Sequence, residues 1–324
     1  MIVVTGGAGF IGSAIIWALN EKGIDDILVV DNLGRSDKWK NLVNRRYAHY
    51  MHRDEFLSTV QGIGLSRKPK AIIHMGACSA TTERDAEFLM RNNVRYSQEL
   101  CRYALKVGAR FIQASSAATY GNGDRGFSDD PALAHTLRPL NMYGYSKHLF
   151  DLWAMRENLL GRIACLKFFN VYGPNEYHKE NMRSVVAKAF AQIKETGRIS
   201  LFKSDRTEYQ DGEQRRDFVY VKDCADIVLW LLDNPDCNGI FNVGTGKAGS
   251  FNELARAVFA ALKLPEAIDY VDMPGELTGK YQYFTQADMS ALQGAGYPVA
   301  NMRALSAGVA DYVRGYLDQP DMYL

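Results

Sequence analysis

Short aliphatic runs alternate with longer amphipathic stretches through the first half of this chain. Residues 1–5, 26–31 and 71–74 are brief, apolar and rich in Ile and Val, and they read as strands. Residues 10–22, 84–107 and 141–159 carry apolar positions at helical spacing, and 110–114 and 163–168 return as strands. This βαβα order predicts an α/β fold, a doubly wound parallel sheet with helices on both faces. After Pro174 the pattern loosens. Polar and Gly-rich stretches at 204–216 and 273–280 separate shorter elements, and 217–221 and 239–243 read as strands returning to the first sheet. The boundary falls near Asn170. Residues 1–170 form the sheet domain, joined by the strands near 217–246. Residues 171–324 form mainly a smaller, mixed α/β substrate-binding domain.

Charge narrows the possible ligands. Lys plus Arg number 38 against 37 Asp plus Glu, so no bulk field attracts nucleic acid or a membrane. An anionic ligand has to be held locally. Cys78, Cys101, Cys165, Cys224 and Cys237 are widely spaced and contain no C-x-x-C, which argues for reduced thiols in a cytoplasmic protein. The apolar N-terminus lacks a basic lead and is broken by glycines, so it reads as mature sequence. No run is long enough to span a bilayer. His49 and His52 are spaced like ligands without a third, and no metal is expected.

The first strand is followed by Thr5-Gly6-Gly7-Ala8-Gly9-Phe10-Ile11-Gly12, which opens the first helix. Glycines there permit a tight turn and close backbone approach, and the helix start offers free N–H groups to a pyrophosphate. The sheet is therefore of Rossmann type and takes a dinucleotide. Asp31 ends the second strand, where an acid accepts from a ribose 2′-hydroxyl and favours NAD. Arg35, Lys38 and Arg53 are near enough in sequence to pair with a 2′-phosphate instead, so NAD and NADP both stay open.

Tyr143 and Lys147 form Y-x-x-x-K on one helix face, which lets the ammonium reach the phenol. Bringing a phenol from a pKa of about 10 to neutrality takes roughly 4 kcal/mol. One cation at about 4 Å supplies that at an effective dielectric near 20. Ser116 follows the strand ending near Ala114, at the carboxyl edge where α/β sheets bind ligands, and can hydrogen-bond a reacting oxygen.

In order, the glycine loop, the acidic strand end, Ser115-Ser116-Ala117-Ala118-Thr119-Tyr120-Gly121 and Y-x-x-x-K resemble the extended short-chain dehydrogenase/reductase family. The likeness covers essentially the whole chain. Asn170-Val171-Tyr172-Gly173-Pro174 and Arg216-Asp217-Phe218-Val219-Tyr220-Val221 are similar to the branch that acts on nucleotide sugars. Ala117 and Ala118 stand where dehydratases of that branch carry an Asp-Glu pair, which leaves oxidation and re-reduction, meaning epimerisation.

Further blocks resemble the epimerases acting at C6 of an ADP-linked heptose. They are residues 27–33, 74–83, 140–151, 172–182 and 279–288. That resemblance implies NADP, contacted by Gly6, Gly9, Phe10, Ile11, Gly12, Asp31, Asn32, Lys38, Arg53, Met75, Gly76, Ala77, Cys78, Ser79, Asn92, Lys147, Val171 and Lys179. Lys38 then offsets Asp31. It also implies Tyr143 and Lys179 as two bases, with Ser116 and Lys147 completing the catalytic set; His178, read by itself, adjoins Lys179 and serves only to position it. Substrate contacts fall on Ser116, Asn170, Asn181, Lys188, Phe202, Lys203, Ser204, Asp205, Arg216 and Tyr281. The 204–214 stretch is longer than the family's usual loop, and Asn181 and Lys188 differ in type from its residues. A homo-oligomer, often a pentamer, serving lipopolysaccharide core synthesis is implied as well. The alternatives are a UDP-hexose 4-epimerase with the same triad and, behind it, a non-catalytic cofactor sensor.

Overall fold

The computed structural model describes residues 1–275 and 281–324; Gly279 and Lys280 of the 279–288 block lie outside the described residues. Twelve strands are present among the described residues. They are β1 (Ile2–Thr5), β2 (Ile27–Asp31), β3 (His49–His52), β4 (Ala71–His74), β5 (Arg110–Ser116), β6 (Ile163–Phe168), β7 (Asn170–Tyr172), β8 (Ile199–Phe202), β9 (Arg215–Tyr220), β10 (Gly239–Val243), β11 (Ala248–Ser250) and β12 (Ile268–Val271). The helices used below are α1 (Phe10–Glu21), α2 (Arg53–Gln61), α3 (Ala86–Leu89), α4 (Tyr96–Val107), α5 (Met142–Arg156), α6 (Val185–Thr196), α7 (Val221–Asp233) and α8 (Phe251–Leu262).

The main sheet has seven parallel strands in the order β10-β6-β5-β4-β1-β2-β3. Its inner strands are largely apolar because both faces are covered, while the edge strand β3, His49-Tyr50-Met51-His52, is open to solvent. Val4, Val29, Ile73, Ile112 and Leu166 point to the side packed by α1 and α7. Their neighbours Val3, Leu28, Ile72, Phe111 and Cys165 point to the side packed by α2, α4 and α5. Chain order reverses between β1 and β4. Such a switch point leaves a crevice beyond the carboxyl ends of the strands, where open α/β sheets bind ligands.

A second core gathers α6, α8 and β8 with Val309, Tyr312 and Val313, and it is joined to α1 through Phe10 and Ala14. The strand expected at 217–221 is corrected here. β9 does not return to the main sheet; it pairs with β7 and β11 in a three-stranded sheet. Its side chains Phe218 and Tyr220 belong to the second core, which is what draws it away. β10 does lie in the main sheet, beside β6. The helix expected over 84–107 is also not uniform: α3 passes through a π turn, Met90–Arg95, into α4.

Candidate active site

The glycine loop touches a second loop so closely that only glycine fits. Gly6 has φ +64°, and a Cβ there would stand 2.6 Å from the Gly76 nitrogen. A Cβ on Gly12 would stand 2.1 Å from the Gly6 carbonyl oxygen. Helix α1 begins with Gly9 at its N-cap and no side-chain cap, so its first N–H groups stay available to an anion. Asp31 braces this turn. Its Oδ2 accepts from the Ala8 N–H at 2.8 Å, and its Oδ1 accepts from Lys38 Nζ at 2.5 Å and the Asn32 N–H at 2.7 Å. The acid is thus already paired with a cation.

Beyond the loop lies a cavity of about 470 Å³. Gly6, Gly9, Phe10, Ile11 and Gly12 line it, with Asp31, Asn32, Lys38, Arg53 and Asn92. Residues 75–79, Ser116, Tyr143, Lys147, Val171 and Lys179 complete the wall. Every residue expected to hold the cofactor or to act as a base therefore faces one space. Arg53 donates to Asn92 Oδ1. Arg35 is exposed and outside this wall.

Helix α5 starts at Asn141, whose Oδ1 accepts from the Gly144 N–H at 2.8 Å, a standard N-cap. A Cβ on Gly144 would meet the Ala118 carbonyl oxygen at 2.6 Å, so glycine lets α5 close on the turn carrying Ser116. Burial pushes the Tyr143 phenol up, and a hydrogen bond with Ser116 opposes that shift. Lys147 is buried, and its ammonium donates to the Ala114 carbonyl at 2.8 Å. That bond anchors it to the end of β5, with two further donors on the ammonium. Burial brings its pKa down to about 8, against the opposing pull of Asp151. Asp151 accepts from Ser115 Oγ at 2.8 Å and pairs with the buried Lys167 at 3.5 Å.

Lys179 reaches the cavity from the other side. It sits on a 3-10 segment, Tyr177–Met182, interrupted by Glu180 at φ 48°. Its Nζ lies 5.3 Å from the Phe10 ring centroid. Desolvation lowers its pKa, and the Glu176 carboxylate opposes that. His178 shares a hydrogen bond with Asn41 Nδ2 at 3.2 Å, and burial brings its imidazole down to about 4, so it is neutral.

The expected substrate residues separate into two sets. The Arg216 guanidinium lies 5.2 Å from the Tyr281 ring and 5.8 Å from that of Phe251, and Phe202 meets Tyr281 edge-on. The one described side-chain hydrogen bond of Arg216 runs to the Arg215 carbonyl. Lys203 is instead paired with Asp272 at 2.9 Å, Ser204 Oγ donates to the Arg206 carbonyl, and Asp205 accepts from Tyr283 Oη. Asn170, Asn181 and Lys188 are exposed, and Asn170 Oδ1 accepts from Thr285 Oγ1 at 3.4 Å. None of these nine residues lines the cavity.

Several positioning groups carry no sequence signal. Asn93, buried in the π turn, accepts from the Cys78 N–H at 2.9 Å and donates to the Cys78 carbonyl and Ser146 Oγ, both at 3.0 Å. It ties the 75–79 loop to α5. His74 is buried between Thr5 Oγ1 and Ser97 Oγ, and burial pushes it down to about 3. Asn41 Nδ2 reaches both the Ala8 and Asn175 carbonyls, joining the glycine loop to the Lys179 segment.

Residues 2–244 match the model of the NAD dependent epimerase/dehydratase family. A protein of Nitratidesulfovibrio vulgaris (strain DP4), named ADP-L-glycero-D-manno-heptose-6-epimerase, is 61% identical over 324 residues, covering 100% of both chains. One of the same name from Fusobacterium nucleatum is 48% identical, again over 100% of each. Among solved structures, the Helicobacter pylori ADP-L-glycero-D-manno-heptose-6-epimerase superposes with a TM-score of 0.80 at 26% identity, covering 97% of this chain and 95% of that one.

Proposed function

Because the chain belongs to the NAD dependent epimerase/dehydratase family, we propose that it interconverts ADP-D-glycero-D-manno-heptose and ADP-L-glycero-D-manno-heptose. The route is oxidation to a 6-ketone and re-reduction. One observation carries this reading: Tyr143 and Lys179, from unconnected parts of the fold, face the same cavity beside the glycine loop. The name shared by full-length relatives supports the sugar.

A nicotinamide cofactor fits the residues present, since the glycine loop and the uncapped start of α1 line the cavity and leave N–H groups for its pyrophosphate. We take it to be NADP, because Lys38 already neutralises Asp31 and Arg53 stands in the same wall. When bound, its nicotinamide accepts a hydride and later returns it. The substrate carbon must present opposite faces to that fixed ring, so its oxygen occupies two positions. Tyr143 exchanges the hydroxyl proton at one of them, with Ser116 hydrogen-bonded to the same oxygen. Lys179 serves the other, and its desolvation makes the neutral amine accessible. Arg216, lying against Tyr281 and Phe251 with donors to spare, holds the diphosphate as a fork. Ala117 and Ala118 supply no acid for eliminating water. Among the described residues no helix is long and apolar enough to cross a membrane, and we infer a cytoplasmic homo-oligomer serving lipopolysaccharide core synthesis.

The test is turnover. Purified protein given ADP-D-glycero-D-manno-heptose, with no added cofactor, is followed by proton NMR. Equilibration of the two 6-epimers is expected. No conversion, with UDP-galactose turned over instead, would overturn the substrate assignment and withdraw Lys179 as a base.

A further inference from the structure

Lys179 sits on a segment with little regular structure, yet it faces the cavity as definitely as Tyr143 does on its helix. Something other than the segment's own hydrogen bonds must hold it. The buried carboxylate of Glu176 is the group in place to do so. Oε1 accepts from Ser184 Oγ at 2.7 Å and from the Gly173 N–H at 3.4 Å, and Oε2 accepts from the Ser184 N–H. Gly173 lies before Lys179 and Ser184 after it. One side chain therefore fastens both ends of residues 173–184. Ser184 is also the N-cap of α6, accepting from the Ala187 N–H at 3.2 Å, so the clasp is referred to a regular helix.

We propose that Glu176 is a positioning residue for the reaction: it closes the 173–184 segment and fixes where, and with what charge, Lys179 meets the substrate. The inference rests on the reading of Lys179 as the second base. No salt bridge joins the two side chains among the described residues, so the carboxylate acts through the segment and through space. The surroundings leave it the dominant partner. His178 is neutral, Lys38 is paired with Asp31, Phe10 offers only its ring, and Tyr177 and Tyr312 beside Glu176 are held as neutral phenols by burial.

The sign follows directly. An anion nearby favours the ammonium form, so neutralising it lowers the pKa of Lys179. In the cofactor-loaded protein, trace acetylation with acetic anhydride across a pH series, read at Lys179 by peptide mass spectrometry, reports that pKa without relying on catalysis. Glu176→Gln should move the midpoint down by about one unit. It should also lower kcat about tenfold with little change in KM, and shift the Lys179 limb of the kcat profile to lower pH. Ser184→Ala keeps the charge and removes two hydrogen bonds, the one to Glu176 Oε1 and the α6 cap from the Ala187 N–H; it should cost about threefold in kcat with the midpoint unmoved. An unmoved midpoint in Glu176→Gln, or wild-type kcat in both variants, overturns the proposal. A moved midpoint with kcat lowered but its pH limb unshifted upholds Glu176 as what sets Lys179 and refutes Lys179 as a base.

Discussion

The two proposed bases occupy opposite kinds of structure. Tyr143 rides on α5, a helix of 15 residues with an Asn N-cap and a face packed against the main sheet. Lys179 rides on a 3-10 segment of 6 residues whose backbone turns positive at Glu180. Local rules build the first: a cap, helical spacing and a glycine where the helix nears its neighbour. Tertiary contacts build the second, through Glu176, Asn41 and Asn175. Asn175 itself has φ 76°, donates to Ser13 Oγ and accepts from the Leu324 N–H. Equal exposure to one cavity is thus reached by a rigid element on one side and by a clasped segment on the other.

The largest effect tests whether the two sides are equal in chemistry. Tyr143→Phe and Lys179→Ala should each lower kcat by about 10²–10⁴, the usual range for a proton-transferring group. The double variant should lose little more than the worse single one, as groups acting in one cycle do. Steady-state assays from both epimers decide this. Near-normal turnover by Lys179→Ala would break the symmetry and leave Tyr143 as sole base. A smaller effect sharpens the contrast in rigidity. Gly12→Ala drives a Cβ into the Gly6 carbonyl, where no side chain can yield. It should weaken cofactor retention about tenfold and cost about 1–3 kcal/mol of stability. Cofactor released on denaturation and a melting curve measure both. Normal retention would show that the loop yields more than its contacts indicate.

The rigid side was the more legible one. β4 and β6 fall where the aliphatic runs place them, because strands buried on both faces are mostly apolar, His74 and Lys167 excepted. Gly6, Gly12, Tyr143 and Lys147 could be found because their spacing is local. Even there, the bond from Lys147 to the Ala114 carbonyl was not legible: the spacing sets the helix face, while that carbonyl comes from a strand. β9 was assigned to the wrong sheet for a similar reason, since its apolar run does not tell which core claims Phe218 and Tyr220. Asn93, His74, Asn41 and Glu176 were invisible as functional residues. Asn93 meets Ser146 across 53 positions and Asn41 meets Asn175 across 134, and no periodicity encodes such pairs. Lys179 stood out through family resemblance alone; in isolation it is a loop lysine.

The central claim is that one cavity removes a hydride from the sugar carbon and returns that same hydride to the opposite face. Running the epimerisation in deuterium oxide and reading C6 of both products by NMR tests it most directly. The account predicts protium retained at C6 through complete equilibration, since the hydride never meets solvent. Deuterium at C6 would contradict it, because the carbon would then have lost a proton to a base exchanging with water.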